Sequence, residues 1–405
     1  MIILEFRLAG KPRQFNAIDE AIRTTQFIRN NGVRYWQDTR GITPYDLNKY
    51  CAILAQEYEF VRKLNSMARQ AAAERAGAAI TRFYKNCRQK KPGEKGYPRF
   101  QTNCRSVEYK TTGWTLDEMR RHLTLTDGVE ARTFKLKGTR DLLGYALGAI
   151  KRVRLVRRAD GYYAQFAVDD ADRHVSVEPS GKAIGIDLGL THFYTDSDGQ
   201  EKENPQFLRR SERALKRLGG KLSRKVKGSK NRAKARVRLA RKHLHVQRQR
   251  RDFAAKTARA LVMSNDVIAY EDLRVANMVK NRHLSKGISD AGWRTFRTWL
   301  DYLARVYGKV VVAVPPEYST QQCSRCGAMV KKTLSQRTHV CPKCGLMLGR
   351  DHNAAVTILS RGVALLAQAT VGHHGESRLG RGEPLHTTGD CGVQARSLNQ
   401  ESQVL

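Results

Sequence analysis

The stretch "AIGIDLGL", residues 183–190, decides the fold of the second half of the chain. Its apolar residues predict a buried strand, and Asp187 ends that strand between two glycines. A carboxylate in this position loses hydration and needs a partner to offset the loss. The partner could be a metal ion, a phosphate or a nearby backbone N–H, so the rest of the sequence has to decide among them.

Two further acids stand in comparable positions. Glu271 ends the apolar strand of "DVIAYEDL" (266–273), and Asp351 opens a helix predicted for "GRDHNAAVTILSRGVALLAQA" (349–369). Open α/β sheets build their sites at strand ends and helix starts, so acids from three distant segments can converge there. Carboxylates suit Mg²⁺, and two such ions would support phosphodiester hydrolysis. The pattern therefore predicts a magnesium-dependent hydrolytic site.

Each acid also has a simpler interpretation. Asp187 could cap its strand or belong to the phosphate loop of an actin-like ATPase, and Glu271 could pair with a lysine while Asp272 replaces it as the functional acid. Asp351 could be an ordinary helix N-cap. The presence of all three acids, in this order on a strongly basic chain, favours the metal site.

Four of the eight cysteines form the pattern C-x2-C-x14-C-x2-C. They are Cys323, Cys326, Cys341 and Cys344. Four thiolates predict one tetrahedral, closed and therefore structural Zn²⁺ site, in preference to a redox role. Gly327 and Gly345 follow the two C-x2-C pairs and permit tight turns. The remaining cysteines stand singly and are interpreted as ordinary buried or loop residues: Cys51, Cys87, Cys104 and Cys391.

The charge of the chain indicates nucleic acid as its partner. Its 405 residues include 74 Lys and Arg against 38 Asp and Glu, a net charge of +36 that a polyanion has to neutralise. There is no apolar run of about 18 residues to span a membrane, and the N-terminus does not resemble a signal peptide. We therefore expect a cytoplasmic protein that does not act on membranes.

The basic residues are concentrated between 209 and 251, where 19 Lys and Arg face a single acid, Glu212. "GSKNR" (228–232) interrupts this region and predicts two antiparallel helices joined by a turn. A solvated helix usually mixes both signs of charge, so these helices are predicted to bind nucleic-acid backbone without reading sequence. The candidate contact residues are Arg209, Arg210, Arg213, Lys216, Arg217, Lys221, Arg224, Lys225, Arg236, Arg238, Arg241 and Lys242.

The first half of the chain predicts a sheet interrupted by helices. "MIILEFRL" predicts a strand, residues 15 to 90 predict helices, and residues 100 to 176 predict mostly strands, with a hairpin turn at Ala159-Asp160-Gly161. The first strand and the later set could share one barrel.

The second half continues past the basic region with "ISDAGWRTFRTWLDYLARVYG" (288–308). This segment predicts one amphipathic helix, capped by Ser289 or Asp290. Its buried face comprises Trp293, Phe296, Leu300, Leu303 and Tyr307. "KVVVAVPP" (309–316) predicts a buried strand, and residues 372–405 predict a disordered tail.

The order of these motifs resembles the transposon-encoded TnpB family, which is ancestral to and similar to the compact type V CRISPR effectors. The resemblance rests on "GIDLGL", "AYEDL", "ISDAGW", the paired C-x2-C motifs and "RDHNAA", together with "FYKNC" and "GYPRF". It covers roughly residues 80 to 365. The chain departs from many relatives at Gly349, where they carry Asp, but Asp351 is intact.

The resemblance implies an RNA-guided DNA endonuclease that cuts beside a short target-adjacent motif. It implies a multidomain α/β and β protein with a RuvC-like, ribonuclease-H-fold nuclease and a zinc-ribbon insert. It also implies an N-terminal β-barrel wedge domain with an inserted helical recognition lobe. The implied boundaries are 1–10 and 100–178 for the wedge, 11–99 for the recognition lobe, 180–316 and 349–371 for the nuclease, and 317–348 for the zinc ribbon.

The site residues and partners follow from the same resemblance. Asp187, Glu271 and Asp351 would be the catalytic acids that hold two Mg²⁺ ions, and the four clustered cysteines would hold one Zn²⁺. The partners would be a guide RNA with a structured scaffold and double-stranded target DNA, in a monomeric ribonucleoprotein. Base pairing would then read the target sequence, while the protein reads shape and the flanking motif.

Three other classes of protein remain as alternatives. A DDE-type transposase acting on transposon ends also uses three carboxylates, but it needs a sequence-specific end-binding domain, and the sequence shows no helix-turn-helix. A nuclease-inactive RNA-guided DNA-binding protein is disfavoured because all three acids are present. An actin-like ATPase is disfavoured by the cysteine motif and by the charge.

Overall fold

A computed structural model describes residues 2–39, 41–128, 131–169, 174–333 and 335–371. The chain divides into two compact units, Met1–Ala171 and Asp172–Leu405. The tail predicted for 372–405 lies outside the described residues. Within those residues, no helix is both long enough and apolar enough to cross a membrane.

The first unit combines one antiparallel sheet with four α-helices among its described residues. Its strands are β1 (Ile2–Ala9), β2 (Ser106–Lys110), β3 (Trp114–Leu116), β4 (His122–Leu125), β5 (Thr133–Lys137), β6 (Ile150–Arg158) and β7 (Gly161–Val168). Its helices are α1 (Pro12–Asp38), α2 (Pro44–Glu57), α3 (Glu59–Lys63) and α4 (Ser66–Arg88). The predicted strand, helices and later strands are therefore confirmed in that order.

The N-terminal strand lies in the middle of this sheet. The strand order is β2-β6-β7-β1-β5-β4-β3, so β1 pairs with β7 on one side and with β5 on the other. Leu4 is in register with Phe166, and both are buried. The prediction that the first strand joins the later set is confirmed. The hairpin turn is also where it was predicted, because Arg158 pairs with Gly161.

The sheet is strongly curled. A flat sheet of seven strands would hold its edge strands about 29 Å apart. The edge strands β2 and β3 are joined through residues 111–113, and four residue steps span at most about 14 Å. The described residues contain no pairing between β2 and β3. The expected barrel is therefore a half-barrel with two open edges.

Helices α1 and α4 pack closely because small residues line their contact. α4 buries Ala68, Ala72 and Ala76. A Cβ on Gly32 of α1 would lie 3.3 Å from the Cβ of Ala76, which leaves little space for a larger residue. Packing of this kind buries the apolar face of an Ala-rich helix that has few large side chains to contribute.

The second unit contains a mixed sheet, a small hairpin and six α-helices among its described residues. Its strands are β8 (Ala183–Leu188), β9 (His192–Asp196), β10 (Glu201–Glu203), β11 (Val267–Glu271), β12 (Val310–Val314), β13 (Thr338–Val340) and β14 (Met347–Gly349). Its helices are α5 (Phe207–Ser223), α6 (Lys230–Ser264), α7 (Val275–Met278), α8 (Ser285–Ala291), α9 (Trp293–Val306) and α10 (Arg350–Val371).

The main sheet of this unit has the order β10-β9-β8-β11-β12. β8, β11 and β12 are parallel to one another, whereas β9 and β10 are antiparallel to their neighbours. Ile184, Ile186 and Leu188 face the apolar core that also contains Phe296 of α9. Because side chains alternate along a strand, Gly185 and Asp187 face the opposite side of the sheet.

Helix α10 lies on that opposite side, where it approaches the sheet unusually closely. A Cβ on Gly185 would lie 2.2 Å from the carbonyl oxygen of Ala355 and 2.7 Å from the backbone nitrogen of Leu359. A Cβ on Gly362 would lie 2.6 Å from the Cβ of Ala269. Glycine is therefore required both on β8, at Gly185, and on α10, at Gly362. This close contact fixes the start of α10 over the carboxyl ends of the parallel strands.

The helix predicted for 288–308 is two helices, which corrects the sequence analysis. Gly292 adopts φ +68° and separates α8 from α9. The predicted cap is also wrong, because Ser289 and Asp290 lie within α8 and Gly292 is the residue directly before α9. Asp290 instead accepts hydrogen bonds from the backbone N–H groups of Leu208 (2.8 Å) and Arg209 (3.1 Å) at the start of α5. The predicted apolar face is confirmed, since its members pack in the core.

Candidate functional site

Asp187 and Glu271 lie side by side at the carboxyl ends of two adjacent parallel strands. Ile186 of β8 is in register with Tyr270 of β11, so the next residue of each strand stands at the same level. Equivalent residues on neighbouring strands project from the same face, with backbones about 4.8 Å apart. Gly185 on that face contacts α10, so both carboxylates project toward the start of this helix.

Asp351 reaches the same place from α10. It precedes Ala355 by one helical turn, and Ala355 lies against Gly185. Residues four apart share a helix face, so Asp351 lies near the end of β8. The helix predicted to open at Asp351 is present, and the alternative of an ordinary N-cap does not apply, because α10 begins at Arg350 and Asp351 occupies its first turn. The helix dipole favours a negative charge there.

The surroundings of Asp187 oppose its charge. Burial raises the pKa of Asp187 well above its usual range, and the carboxylates of Glu271 and Asp351 raise it further, while Arg350 acts in the opposite direction. Opposite charges near a carboxylate favour its ionised form, so a cation at this place would restore the charge of Asp187. Strong perturbation of this kind is typical of functional sites.

Glu271, rather than Asp272, is the acid that belongs to this cluster. Glu271 is 6% exposed, and burial raises its pKa, opposed by a hydrogen bond that the Ser319 hydroxyl donates and by the charge of Arg361. Asp272 is largely exposed and accepts a hydrogen bond from Arg297 at 2.6 Å. The sequence left open whether Glu271 or Asp272 belongs to the carboxylate cluster. In the structure it is Glu271.

Arg350 is a site residue to which the sequence analysis assigned no role. Its Nε donates to Asp351 Oδ1 across 2.9 Å. Its backbone N–H donates to the carbonyl of Arg337 at 2.7 Å, and its Nη1 lies 3.4 Å from the carbonyl of Gln336. The sequence could have indicated Arg350, because it directly precedes Asp351 in "RDHNAA". Nothing in the sequence indicated Ser319.

The carboxylate spacing limits how a metal could bind. Among the described residues, the clustered cysteines are the one group of three or more His, Cys, Asp or Glu whose ligand atoms all lie within 4.8 Å of one another. Asp187, Glu271 and Asp351 are therefore spaced more widely than ligands of a single dehydrated ion. Mg²⁺ usually keeps several waters and takes one or two carboxylates. The hard-oxygen donor set and its spacing fit Mg²⁺ held in that way.

The four cysteines converge as predicted. The Sγ atoms of Cys323 and Cys344 lie 3.6 Å apart, as do those of Cys326 and Cys341. Tetrahedral zinc with Zn–S bonds of about 2.3 Å separates its sulfur ligands by about 3.8 Å. The cluster therefore fits one tetrahedral Zn²⁺. Little apolar core surrounds it, so a metal would supply much of the stability of this segment.

Both cysteine turns have the predicted glycine. Gly327 adopts φ +73° and donates its N–H to the carbonyl of Cys323 at 2.9 Å. Gly345 adopts φ +70° and donates to the carbonyl of Cys341 at 2.9 Å. Only glycine enters this backbone region without strain, so the two turns have matching geometry.

Asn353 joins the first cysteine turn to α10. It is fully buried, its Nδ2 donates to the carbonyl of Gln322 at 2.8 Å, and its Oδ1 accepts from the N–H of Ser324 at 3.0 Å. Both atoms of the amide are therefore used on the two sides of Cys323. Because Asn353 is two residues from Asp351, the cysteine cluster and the Asp351 carboxylate are held by the same helical turn.

The basic region forms the predicted helix pair, α5 and α6. The turn comprises residues 224–229, slightly before the predicted position, and the Ser229 side chain accepts a hydrogen bond from the N–H of Arg232. Of the predicted contact residues, Lys242 is half-buried. The others are exposed: Arg209, Arg210, Arg213, Lys216, Arg217, Lys221, Arg224, Lys225, Arg236, Arg238 and Arg241. The helix pair therefore exposes many cations to solvent.

Two family models match the chain. The model OrfB_IS605, described as "Probable transposase", matches residues 165–282, which include Asp187 and Glu271. The model described as "Cas12f1-like, TNB domain" matches residues 293–358, which include the four cysteines and Asp351.

The chain also resembles curated proteins. It is 32% identical over 318 residues to a protein of Streptomyces pristinaespiralis named "Putative RNA-guided DNA endonuclease", a match that covers 77% of this chain and 75% of that protein. It is 30% identical to "Putative RNA-guided DNA endonuclease InsQ" of Escherichia coli (strain K12), covering 71% and 73%. It is 27% identical to "TnpB-like protein L79" of Acanthamoeba polyphaga mimivirus, covering 46% and 39%.

Among solved structures, the chain is similar to one in "Cryo-EM structure of the Cas12f1-sgRNA-target DNA complex". That match has 12% sequence identity and a TM-score of 0.34, and it covers 88% of this chain and 98% of the other. The family assignment rests instead on the identity to the Streptomyces protein, which extends over three quarters of that protein's length. On that similarity, the chain belongs to the TnpB family.

Proposed function

We propose that this protein is an RNA-guided DNA endonuclease that hydrolyses phosphodiesters at the site formed by Asp187, Glu271 and Asp351. The single observation that carries the proposal is the convergence of these acids. Two of them end adjacent parallel strands in register, and the third enters from the first turn of α10. The names of the relatives with 30% identity or more support the same activity.

The nuclease comprises residues 180–316 and 349–371 and has a RuvC-like, ribonuclease-H-type fold. The mixed five-stranded sheet and the acids at its carboxyl edge support this assignment. Asp187, Glu271 and Asp351 are the residues that would hold two Mg²⁺ ions, and those ions would supply an activated water and stabilise the leaving 3′-oxygen. Arg350 holds Asp351 in place through its hydrogen bond.

The zinc ribbon, residues 317–348, is an insert that binds target nucleic acid and is held by one structural Zn²⁺. The sulfur spacing supports the zinc assignment. Asn353 keeps the ribbon beside the carboxylates, where a strand being cleaved has to pass.

The wedge domain comprises residues 1–10 and 100–178, and the recognition lobe comprises residues 11–99; all but residues 172–178 of these belong to the first unit. The insertion of α1–α4 between the first and second strands of one sheet supports this division. The guide RNA would neutralise much of the +36 charge, and the basic helices α5 and α6 would contact its backbone or that of the DNA. A single chain would assemble with one guide RNA.

The experiment is to express the chain with its flanking genomic segment and sequence the RNA that copurifies. We expect a long, specific RNA with a 3′ guide segment. Exchanging that segment should redirect cleavage of a supercoiled plasmid to the matching target beside the same flanking motif. RNase treatment should stop cleavage, because without the heteroduplex nothing offsets the cost of opening DNA, about 1.4 kcal/mol per base-pair step.

Two outcomes would favour the alternatives. Site-specific double-strand breaks by RNA-free protein would indicate a transposase that acts on DNA ends directly. Guided binding without any cleavage in Mg²⁺ would indicate an RNA-guided binding protein with an inactive nuclease.

A further inference from the structure

A segment of irregular backbone, residues 95–104, runs along helix α1 in the first unit. Arg29 donates from Nη1 to the carbonyl of Arg99 at 2.6 Å. Asn30 donates to the carbonyl of Gln101 at 2.8 Å and accepts from its N–H at 2.9 Å. Pro98, in the middle of the segment, is buried. The backbone between these points is therefore held firmly, although it forms no helix or strand.

This fixed segment presents aromatic rings outward. Tyr97 and Phe100 are 51% and 48% exposed, and Tyr84 at the end of α4 is 51% exposed. The two tyrosines rest on Trp36, whose Nε1 donates to the Tyr84 hydroxyl at 3.2 Å and whose ring centroid lies 5.5 Å from that of Tyr97. Several exposed rings grouped on one supported surface are typical of an interaction site.

The same surface is strongly basic. Six cations stand along the last turn of α4 and the segment that follows: Lys85, Arg88, Lys90, Lys91, Lys95 and Arg99. Glu94 is the one acid among residues 84–100. The guanidinium of Arg34 also lies 5.9 Å from the centre of the Phe100 ring. A basic surface interleaved with exposed rings matches single-stranded nucleic acid, whose phosphates need cations and whose bases stack on aromatic faces.

We propose that Tyr84, Tyr97 and Phe100 form a stacking platform for unpaired bases, with the surrounding Lys and Arg residues holding the phosphates. The ligand chemistry is an unpaired segment of either the guide RNA or an opened DNA strand. The inference deepens the proposed function, because it names how one part of the nucleic acid is held. It rests on that function only for the presence of a nucleic-acid ligand and requires no cleavage.

The test separates base stacking from charge attraction. In a full-length Asp187→Ala background, short single-stranded RNA and DNA oligonucleotides carrying a fluorescent purine are titrated, alongside the same backbones with abasic sites. Tyr84→Ala, Tyr97→Ala and Phe100→Ala should each weaken binding of the base-containing oligonucleotides by about 5- to 100-fold. Binding of the abasic strands and the slope of affinity against salt should stay unchanged.

Matched variants define the controls. Tyr97→Phe keeps its ring and should bind as the parent does. Tyr45→Ala removes a tyrosine that is 66% exposed elsewhere in the same unit and should have no effect. Lys90→Ala with Lys91→Ala should lower the salt slope by about 0.7 for each phosphate that is no longer neutralised, while the preference for bases over abasic strands persists.

A second measurement uses the ribonucleoprotein as purified from cells. Ultraviolet crosslinking followed by mass spectrometry should find nucleotides attached to peptides that contain Tyr84, Tyr97 or Phe100. RNA adducts would identify the guide as the source, and adducts formed only after target addition would identify DNA.

Equal weakening of base-containing and abasic strands in the alanine variants, or an absence of crosslinks on these peptides, would overturn the platform. Failure of the endonuclease is a separate result, because it is measured by plasmid cleavage with Asp187 intact.

Discussion

Asp187 and Glu271 stand at the same level of adjacent parallel strands, one residue beyond the paired Ile186 and Tyr270. This register brings together two acids that are far apart in the sequence, and their proximity helps to raise the pKa of Asp187. The pair is therefore the structural core of the proposed metal site.

Replacing any of the three acids should abolish cleavage and preserve guided DNA binding. Asp187→Ala, Glu271→Ala and Asp351→Ala would each remove a proposed metal ligand, which is expected to be worth about 4 kcal/mol of transition-state stabilisation, or about 1,000-fold in rate. Plasmid cleavage and gel-shift assays on the same preparations measure the two effects. Asp272→Ala is the matched control and should keep activity, because Asp272 pairs with Arg297. A rate within tenfold of normal for Asp351→Ala would contradict the assignment.

The metal-free protein should lose stability as the pH rises. Burial and the neighbouring acids raise the pKa of Asp187 in the folded state. The folded chain then keeps a proton on Asp187 that the unfolded chain releases, so the contribution of Asp187 to stability is largest below the ordinary carboxyl pKa of about 4 and declines as the pH rises toward the raised value. Thermal denaturation between mildly acidic and mildly alkaline pH, without Mg²⁺, measures this slope.

Asp187→Asn gives the control for this pH dependence. In Mg²⁺-free buffer at neutral pH it should melt above the wild type, by about 2–4 °C for each kcal/mol gained. Added Mg²⁺ should raise the melting temperature of the wild type but not of Asp187→Asn. A lower melting temperature for Asp187→Asn under metal-free conditions would show that Asp187 is not destabilised by its surroundings.

Removing one cysteine of the cluster should release the metal and unfold the ribbon. Four thiolates predict about one zinc ion per chain by elemental analysis, falling toward zero in Cys341→Ser. Cleavage should fall with it, because the ribbon is attached through Asn353 to the helix that carries Asp351. Cys87→Ser, outside the cluster, should retain both zinc and activity. Protein purified without chelator that contained no zinc would refute the site.

Arg350 should act as a positioning residue for Asp351. Arg350→Gln loses the ion pair with Asp351, so the carboxylate is held less firmly and more Mg²⁺ should be needed for half-maximal cleavage. Arg350→Lys should restore part of the effect, and the affinity for target DNA should not change. A magnesium titration of cleavage separates these variants. If the Mg²⁺ midpoint were the same in Arg350→Gln, Arg350 would have no part in holding the acid.

The basic helices should contribute binding that depends on salt but not on sequence. Arg236→Ala and Arg238→Ala remove exposed cations from α6 and should weaken binding of all targets equally, with a shallower salt dependence. Arg232→Ala is expected to differ. Its guanidinium donates to the carbonyl of Leu222 at the end of α5 and to that of Lys225 in the turn. The loss of Arg232 should therefore lower stability rather than change the dependence of binding on salt. An altered target choice would contradict backbone binding.

The parts that sequence reasoning predicted have strong local signals. The strand ending in Asp187, the cysteine spacing and the unmixed charge of α5 and α6 can each be recognised within a short stretch. The parts it missed depend on distant contacts. Asp290 resembles a local helix cap, yet it accepts a hydrogen bond from Leu208 of α5, 82 residues away. Gly292 ends α8 and precedes α9, although the helical spacing of apolar residues continues across it. Asn353 acquires its role only when the ribbon packs on α10.

The central position of β1 in its sheet has a consequence for synthesis on the ribosome. Glu5 and Gln165 are register partners 160 positions apart, so β1 has no neighbour in the sheet until β5 and β7 have been translated. Until then the nascent chain carries an unpaired apolar strand beside helices that cannot complete their core. Contacts this distant slow folding and expose the intermediate to aggregation. Production of the protein should therefore benefit from chaperones that shield β1 until its partner strands have been made.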